Sequence, residues 1–217
     1  MSTQTSLPAR TNDNDTPPSF TIVADPGTDA WRKPPTTDVL NAPTHNYAPH
    51  AHAPPGPFPL TSFSSARVTF SANWAQRYDQ GGLLLVLTPK PGSSASVPGQ
   101  GKPKWLKTGN EFYLGRRNVG TVGTDAWSDW SLVGIPDSKP EKITVEVRRE
   151  SDENGKSLWV YWVDGEERVP VREVTWILAG EEEWDVTVGA YAARPASGEG
   201  VQGGLEVKFW DFFVERI

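Results

Sequence analysis

Three segments in the middle of the chain, each containing aromatic residues, constrain its fold most strongly. They are YDQGGLLLVL from Tyr78, KWLKTGNEFYLG from Lys104 and WSDWS from Trp127. Each places apolar residues beside charged or amide residues at the two-residue spacing of a β-strand, whose side chains alternate between the two faces. The pattern predicts a two-layer β domain in which one polar sheet face lines a groove.

The rest of the chain beyond Thr61 has the same strand-like character. Turn signals such as Pro91-Gly92, Asn154-Gly155 and Asp164-Gly165 separate its apolar segments. With 20 glycines and 20 prolines in 217 residues, turns are favoured over long helices. About ten strands at this spacing predict an all-β sandwich of the jelly-roll type. The segment 175–183 is the one helix candidate, and we expect its three consecutive glutamates to form a solvated turn.

The first 60 residues differ from the rest because they hold twelve of the 20 prolines. We expect residues 1–18 to form a disordered tail and residues 19–217 to form a single β-sandwich domain. The run from Phe20 to Val23 predicts a first strand. The proline-rich segment that starts at Asn41 predicts a long loop, because proline fixes φ and removes a backbone donor, so that no sheet would run through it.

Charge and composition argue against several partners, covalent features and cellular locations. A net charge of −6 argues against nucleic acid and anionic membranes. The chain has no cysteine, so it forms no disulfide and uses no thiolate. No stretch reaches the ~18 apolar residues of a membrane span. The N-terminal residues lack the apolar core of a secretory signal, and we therefore expect a cytoplasmic protein.

Four segments, in this order, resemble a known family. They are TDAWRKP from Thr28, YDQGGL from Tyr78, WLKTGNEF from Trp105 and SDWS from Ser128, and they are similar to the family called domain of unknown function 1349, whose fungal members are termed regulation-of-enolase proteins. The resemblance implies a concanavalin A-like lectin/glucanase fold. Such a fold is a jelly-roll sandwich of two curved antiparallel sheets with a ligand-sized groove on the concave face.

The segment KWLKTGNEFYL supplies the strongest candidate site residues. Alternation places Trp105, Lys107 and Glu111 on one face, and Leu106 and Phe112 on the other. Lys107 and Glu111 would be about 13 Å apart along a strand with a rise of ~3.3 Å per residue. They are therefore too far apart to pair directly and suit two ends of one ligand. The alternative is a solvated sheet face with unremarkable charges.

The other two segments complete the predicted site. Gln80 offers a donor and an acceptor beside two glycines that allow close approach, although this turn is equally explained if Asp79 only caps local amides. Trp130 is either a ligand platform or a core residue. The predicted site comprises Glu111, Lys107 and Asp129 as catalytic residues and Trp31, Tyr78, Gln80, Trp105 and Trp130 as ligand-binding residues.

Several kinds of chemistry are not expected. His45, His50 and His52 lie in one proline-rich loop without acidic or thiol partners nearby, so we predict no metal site. Phosphate-binding glycine loops and the G-x-S-x-G elbow are absent, and we predict no cofactor. Retaining glucanases need a close pair of carboxylates. The runs at 150–153 and 183–185 do not match the spacing of their glutamates around an aspartate, so this activity is not expected.

Three functions are compatible with the sequence. The first is a protein that binds a small polar or aromatic organic ligand, which includes carbohydrate, in the concave groove. The second is a cofactor-free isomerase or cyclase in which Glu111 or Asp129 acts as general acid or base beside Lys107. The third, implied by the family name, is a regulatory protein that contacts a metabolic enzyme.

Overall fold

A computed structural model describes residues 19–48, 55–96, 102–201 and 203–217. The predicted tail, 1–18, lies outside these residues, as do His50 and His52. No helix in the described part is long and apolar enough to cross a membrane. The strands of the described part are β1 (Phe20–Ala24), β2 (Ala30–Lys33), β3 (Thr37–Leu40), β4 (Thr44–Asn46), β5 (Phe58–Pro59), β6 (Phe63–Ala72), β7 (Gln80–Pro89), β8 (Lys104–Tyr113), β9 (Arg116–Thr124), β10 (Ser128–Gly134), β11 (Ile143–Asp152), β12 (Gly155–Asp164), β13 (Glu167–Val174), β14 (Trp184–Ala193) and β15 (Leu205–Arg216), with short 3₁₀ turns at Leu60–Ser62, Ser94–Ser96 and Glu181–Glu183.

The strands form two antiparallel sheets and a separate hairpin. The six-stranded sheet has the order β1-β15-β6-β11-β12-β13, and the seven-stranded sheet has the order β10-β9-β8-β7-β14-β4, with β5 also paired to β14. Strands β2 and β3 pair only with each other within the described residues. This architecture confirms the predicted all-β jelly-roll sandwich.

The hydrophobic core lies between the two sheets and is built by strand alternation. On β7, Leu83, Leu85 and Leu87 are buried in the same cluster as Leu106 of β8 and Val145 of β11. Each such side chain contributes roughly 1.5–3 kcal/mol of favourable burial. Since Leu106 faces the core, its neighbours on β8 must face the opposite side of the seven-stranded sheet.

The prediction that no sheet runs through the proline-rich segment is wrong. Strand β4 pairs with β14 over three residues, and β5 pairs with β14 over two. Both strands are short, and β4 lies at the edge of its sheet, where a missing proline N–H is not needed by a further strand. Short edge strands thus form between prolines that would interrupt a central strand.

The prediction of a solvated glutamate turn at the end of the helix candidate is only partly correct. Glu181–Glu183 form a 3₁₀ turn, but the Glu181 side chain is only 10% exposed and forms ion pairs with Arg149 at 2.6 Å and Lys156 at 3.2 Å. Burial alone would raise the Glu181 pKa, but the hydrogen bonds from the two cations outweigh it, so the pKa lies below its ordinary value. Glu181 therefore anchors the six-stranded sheet to the loop before β14.

Candidate functional site

A groove of about 570 Å³ lies on the face of the seven-stranded sheet that points away from the core. This volume is within the usual range for sites that bind small organic molecules. Among its lining residues are six of the eight predicted from the sequence, namely Trp31, Tyr78, Gln80, Lys107, Glu111 and Trp130.

Strand register brings the floor residues together. Gln80 of β7 lies opposite Glu111 of β8, and Lys107 of β8 lies opposite Val122 of β9, which in turn lies opposite Trp130 of β10. Four neighbouring strands therefore each contribute to one floor. Residues far apart in the chain meet because outward positions on paired strands lie side by side.

Glycines give this floor its depth. Gly82, Gly109 and Gly120 lie opposite one another on β7, β8 and β9. A Cβ atom at Gly120 would lie 2.8 Å from Glu111 Oε2 and 3.1 Å from Glu111 Cβ. Any larger residue at this position would displace the carboxylate, so Gly120 makes the room in which Glu111 lies.

Three polar side chains form one hydrogen-bonded network at the floor. The Lys107 ammonium donates to Asp29 Oδ1 at 2.8 Å and to Gln80 Oε1 at 2.8 Å, and the Gln80 amide donates to Asp29 Oδ1 at 3.2 Å. The side chain of Lys107 is only 4% exposed, and that of Asp29 is 21% exposed. Because an ammonium only donates, its contact fixes the Gln80 amide with the carbonyl oxygen toward Lys107.

The hydroxyl of Tyr191 on β14 also contacts this network. It lies 3.3 Å from Gln80 Oε1, to which it donates, and the residue is 2% exposed. Burial raises the Tyr191 pKa well above its ordinary value, and the charges of Glu111 and Asp29 raise it further. The hydroxyl therefore keeps its proton and remains a donor.

Glu111 lies beside this network with an unusual protonation equilibrium. It is 7% exposed, and its Oε2 accepts a hydrogen bond from Trp130 Nε1 at 3.0 Å. Burial raises the Glu111 pKa above its ordinary value, although the charge of Lys107 and the indole N–H oppose the rise. Within the described residues, Oε1 accepts no hydrogen bond. Such a carboxyl keeps its proton to a higher pH than an exposed glutamate does, as a general acid requires.

Aromatic rings form the wall at the Glu111 end. Tyr78 and Tyr113 are stacked with centroids 5.4 Å apart, and Trp130 lies edge-on to them at 6.1 Å and 5.4 Å. The Arg77 guanidinium lies 4.6 Å from the Tyr78 ring centre and donates to the Tyr78 hydroxyl at 2.5 Å. Tyr78 has a φ of +68°, a left-handed conformation that is uncommon for a bulky side chain.

Trp105 was predicted in the site, but it lies outside the groove. It is fully buried beneath the β2–β3 hairpin, whose Arg32 guanidinium lies 4.4 Å above the ring. Arg32 pairs with Asp38 at 2.8 Å, and its backbone N–H donates to Ser128 Oγ at 2.8 Å. The hairpin thus covers this end of the sheet, and Trp105 has a packing role.

Asp129 also lies outside the groove. It alternates with Trp130 on β10, so its side chain points to the other face, where it is 76% exposed and pairs with Arg172. Asp79 fits the capping alternative, because its Oδ2 accepts the backbone N–H groups of Ala75 and Gln76. It also forms a buried ion pair with Arg194 at 2.8 Å.

Two residues of the network, Asp29 and Tyr191, were not among the site residues predicted from the sequence. Tyr191 alternates with the buried core residues Ala190 and Ala192, a signal for the outward face that was available. Asp29 lies in the segment TDAWRKP, but nothing local shows that the β2–β3 hairpin, which follows it, folds back over the sheet.

The described residues give no support to histidine-based metal binding. His45 of β4 stacks on Phe20 with centroids 4.1 Å apart. No cluster of three or more histidine, cysteine, aspartate or glutamate side chains suited to a metal ion occurs in the described part of the chain.

The fold and groove together define a concanavalin A-like β-sandwich with an open polar groove on the concave face. The chain belongs to the family described as "Protein of unknown function (DUF1349)", which it matches over residues 7–217.

Several known proteins are similar to this chain in sequence or structure. "Uncharacterized protein AN7484" of Emericella nidulans is 43% identical over 199 residues, which cover 92% of this chain and 87% of that protein. The crystal structure of a functionally unknown protein from Saccharomyces cerevisiae has a TM-score of 0.61 at 19% identity, covering 95% of this chain and 94% of that chain. The winged bean acidic lectin complexed with methyl-α-D-galactose has a TM-score of 0.44 at 12% identity, covering 94% of this chain and 100% of that chain. At 19% identity, the Saccharomyces cerevisiae structure shows a likeness of fold alone.

Proposed function

We propose that the groove binds a small polar organic ligand of saccharide size. The observation that carries this proposal is the hydrogen-bonded network of Lys107, Gln80 and Asp29, beside which Glu111 has an oxygen that accepts no hydrogen bond from the described residues. A carboxylate oxygen that is free to accept, next to a fixed polar network in a groove of this size, suits a ligand with hydrogen-bond donors.

The chemistry of the floor and walls favours hydroxyl-rich ligands. A sugar hydroxyl both donates and accepts. Lys107 has three N–H groups, of which two are used by Asp29 and Gln80, and Glu111 supplies an acceptor. Trp31 and Trp130 line the same groove and offer apolar surface to the C–H faces of a sugar ring. Reduced water access strengthens each polar contact.

A screen of ligands by thermal denaturation tests this proposal. The panel contains neutral monosaccharides, disaccharides and aromatic metabolites, and each hit is titrated by calorimetry. A ligand that binds only the folded state raises the melting temperature as its concentration increases. We expect such a rise for at least one saccharide.

Two groove variants and one control make the screen specific. Lys107→Met and Glu111→Gln should weaken or abolish the response, whereas Asp129→Asn, which changes the exposed face of β10, should keep it. No response across the panel, or an equal response in all three variants, would contradict the proposal.

A second candidate function is a cofactor-free isomerase or cyclase. Glu111, with its raised pKa, would transfer the proton, and the protonated Tyr191 would hold the network in place. General acid–base catalysis contributes about 10²–10⁴-fold to rates.

Turnover assays without added metal or nucleotide separate this enzyme from a binding protein. For a catalyst, Glu111→Gln should reduce kcat by roughly 10²–10⁴-fold with a smaller change in KM. Ligands that bind but stay chemically unchanged would favour the binding protein.

A further inference from the structure

The charged side chains of the groove have a local positive excess in an acidic protein. Three cations line it, Lys33, Arg77 and Lys107, against two carboxylates, Asp29 and Glu111. The whole chain, in contrast, has a net charge of −6. A groove whose charge opposes that of the whole chain selects ligands by electrostatic complementarity.

Internal pairing removes part of this charge but leaves the cations at the rim. Lys107 and Asp29 are 2.8 Å apart and neutralise each other. Glu111 is buried, which disfavours its ionised form. Lys33 and Arg77 are exposed and form no ion pair with any residue in the described ranges. The charge left to meet a ligand is therefore positive.

Arg77 is also held in a defined position. Its guanidinium lies 4.6 Å from the Tyr78 ring centre and 5.4 Å from that of Tyr113, and it donates to the Tyr78 hydroxyl. A guanidinium has five N–H groups, so donors remain for an anion. Because the rings already position it, less side-chain freedom is lost when an anion binds.

We propose that the groove selects an acidic sugar, a saccharide-sized ligand with one carboxylate or phosphate group that Arg77 binds and Lys33 attracts. This inference rests on the function proposed above and names its ligand class. A planar guanidinium donates two parallel hydrogen bonds to a carboxylate or phosphate, which neutral hydroxyls do not match.

Calorimetric titrations with matched probes test the inference. The probes are glucose, glucuronate, glucose 6-phosphate, galactose and galacturonate, at low and high salt. We expect at least one acidic sugar to bind about tenfold more tightly than its neutral counterpart, as charge-assisted hydrogen bonds allow. Salt should reduce this difference by screening. A gain for the uronates alone identifies a carboxylate ligand, and a gain for the phosphate alone identifies a phosphorylated ligand.

Substitutions test whether the preference for acidic sugars depends on Arg77. Arg77→Gln should remove most of the preference for the acid, and Arg77→Lys should keep part of it. Lys142→Gln removes the same charge next to Trp210 of the six-stranded sheet and should change nothing.

Two outcomes would overturn the inference, and they differ in what else they imply. If neutral and acidic sugars bind equally, or if Arg77→Gln keeps the full preference, the acidic-sugar inference is wrong while saccharide binding stands. If none of the five probes binds, both the inference and the proposed saccharide function are contradicted.

Discussion

The concave face of the seven-stranded sheet has two ends that share their strands but differ in access. We define the closed end as the cluster of Arg32, Asp38 and Trp105. We define the open end as the cluster of Asp29, Lys107 and Glu111. Trp105 and Lys107 are two residues apart on β8 and face the same way. The Arg32 guanidinium covers the Trp105 ring, whereas the Lys107 side chain, although only 4% exposed, lines the groove.

The two ends differ in what covers them. At the closed end, Arg32 bonds to Asp38 and to the carbonyls of Pro103 and Asp125, each at 3.2 Å. At the open end, Glu111 has an oxygen with no hydrogen bond from the described residues. One alternating strand pattern thus gives a packed end and an end that lines the groove, depending on which part the β2–β3 hairpin covers.

The largest expected effect is the loss of stability when the closed end is broken. Arg32→Met removes a buried cation, leaves two carbonyls without their donor and leaves Asp38 with Lys102 as its remaining cation. We therefore expect the free energy of unfolding to fall by about 2–4 kcal/mol. Urea denaturation measures it. Lys33→Met, on the same hairpin strand but exposed, should change stability by no more than about 0.5 kcal/mol. Equal losses in both variants would refute the distinction between the ends.

At the open end, the corresponding change should affect binding instead of folding. Glu111→Gln keeps the shape of the side chain but replaces one carboxyl oxygen by an amide NH₂, so affinity for the groove ligand should fall about tenfold or more. The free energy of unfolding of the variant should not fall below that of the wild type, because burial makes the ionised form of Glu111 unfavourable. Titration calorimetry and urea denaturation on one sample check both parts, with Asp129→Asn as the control. Reduced stability with unchanged affinity would reverse the assignment.

A smaller effect is expected when only the indole N–H at the open end is removed. Trp130→Phe keeps an aromatic wall but deletes the hydrogen bond to Glu111 Oε2, which lowers the Glu111 pKa, so that pKa should rise further. Carboxyl NMR titration detects the change, and we expect only a several-fold loss of affinity, of order 1 kcal/mol. Trp127→Phe, at an exposed tryptophan outside the groove lining, should leave both quantities unchanged.

The smallest expected effect is a difference in the pH dependence of stability. The folded-state pKa of Glu111 is raised above its ordinary value of 4.5, so the folded state holds this proton more tightly than the unfolded state. Its contribution is fully present below pH 4.5 and is lost as pH rises through the folded pKa. As the pH rises through the folded-state pKa of Glu111, the wild type should lose this contribution. The free energy of unfolding of Glu111→Gln should therefore increase relative to that of the wild type over the same pH range. A gain on acidification instead would contradict the sign of the shift.

Much of the sandwich follows from local patterns in the sequence. Alternation of Leu83, Leu85 and Leu87 on β7 and of Ile143 and Val145 on β11 identifies the inner faces directly. The same rule places Lys107 and Glu111 on the outward face of β8. These placements need no knowledge of which strands pair.

What the sequence did not predict depends on contacts between distant segments. The β2–β3 hairpin is only four residues per strand, and its position over β8 depends on Arg32 meeting Trp105 and Ser128. Trp105 was therefore placed in the groove, and Asp29 was not. Burial of the open end was also not predicted, because a lysine and a glutamate on a sheet face are usually solvated.

The most direct test of the account compares Trp130 at the open end with Trp105 at the closed end during ligand titration. Their indole N–H resonances in proton–nitrogen NMR spectra are assigned with Trp130→Phe and Trp105→Phe variants, and the ligand is the saccharide with the largest thermal shift. We predict that the Trp130 resonance moves in a saturable manner, since its N–H bonds to Glu111, while the Trp105 resonance stays in place. Movement at Trp105 with none at Trp130, or saturable changes confined to the six-stranded sheet, would contradict the assignment of the open end as the binding site.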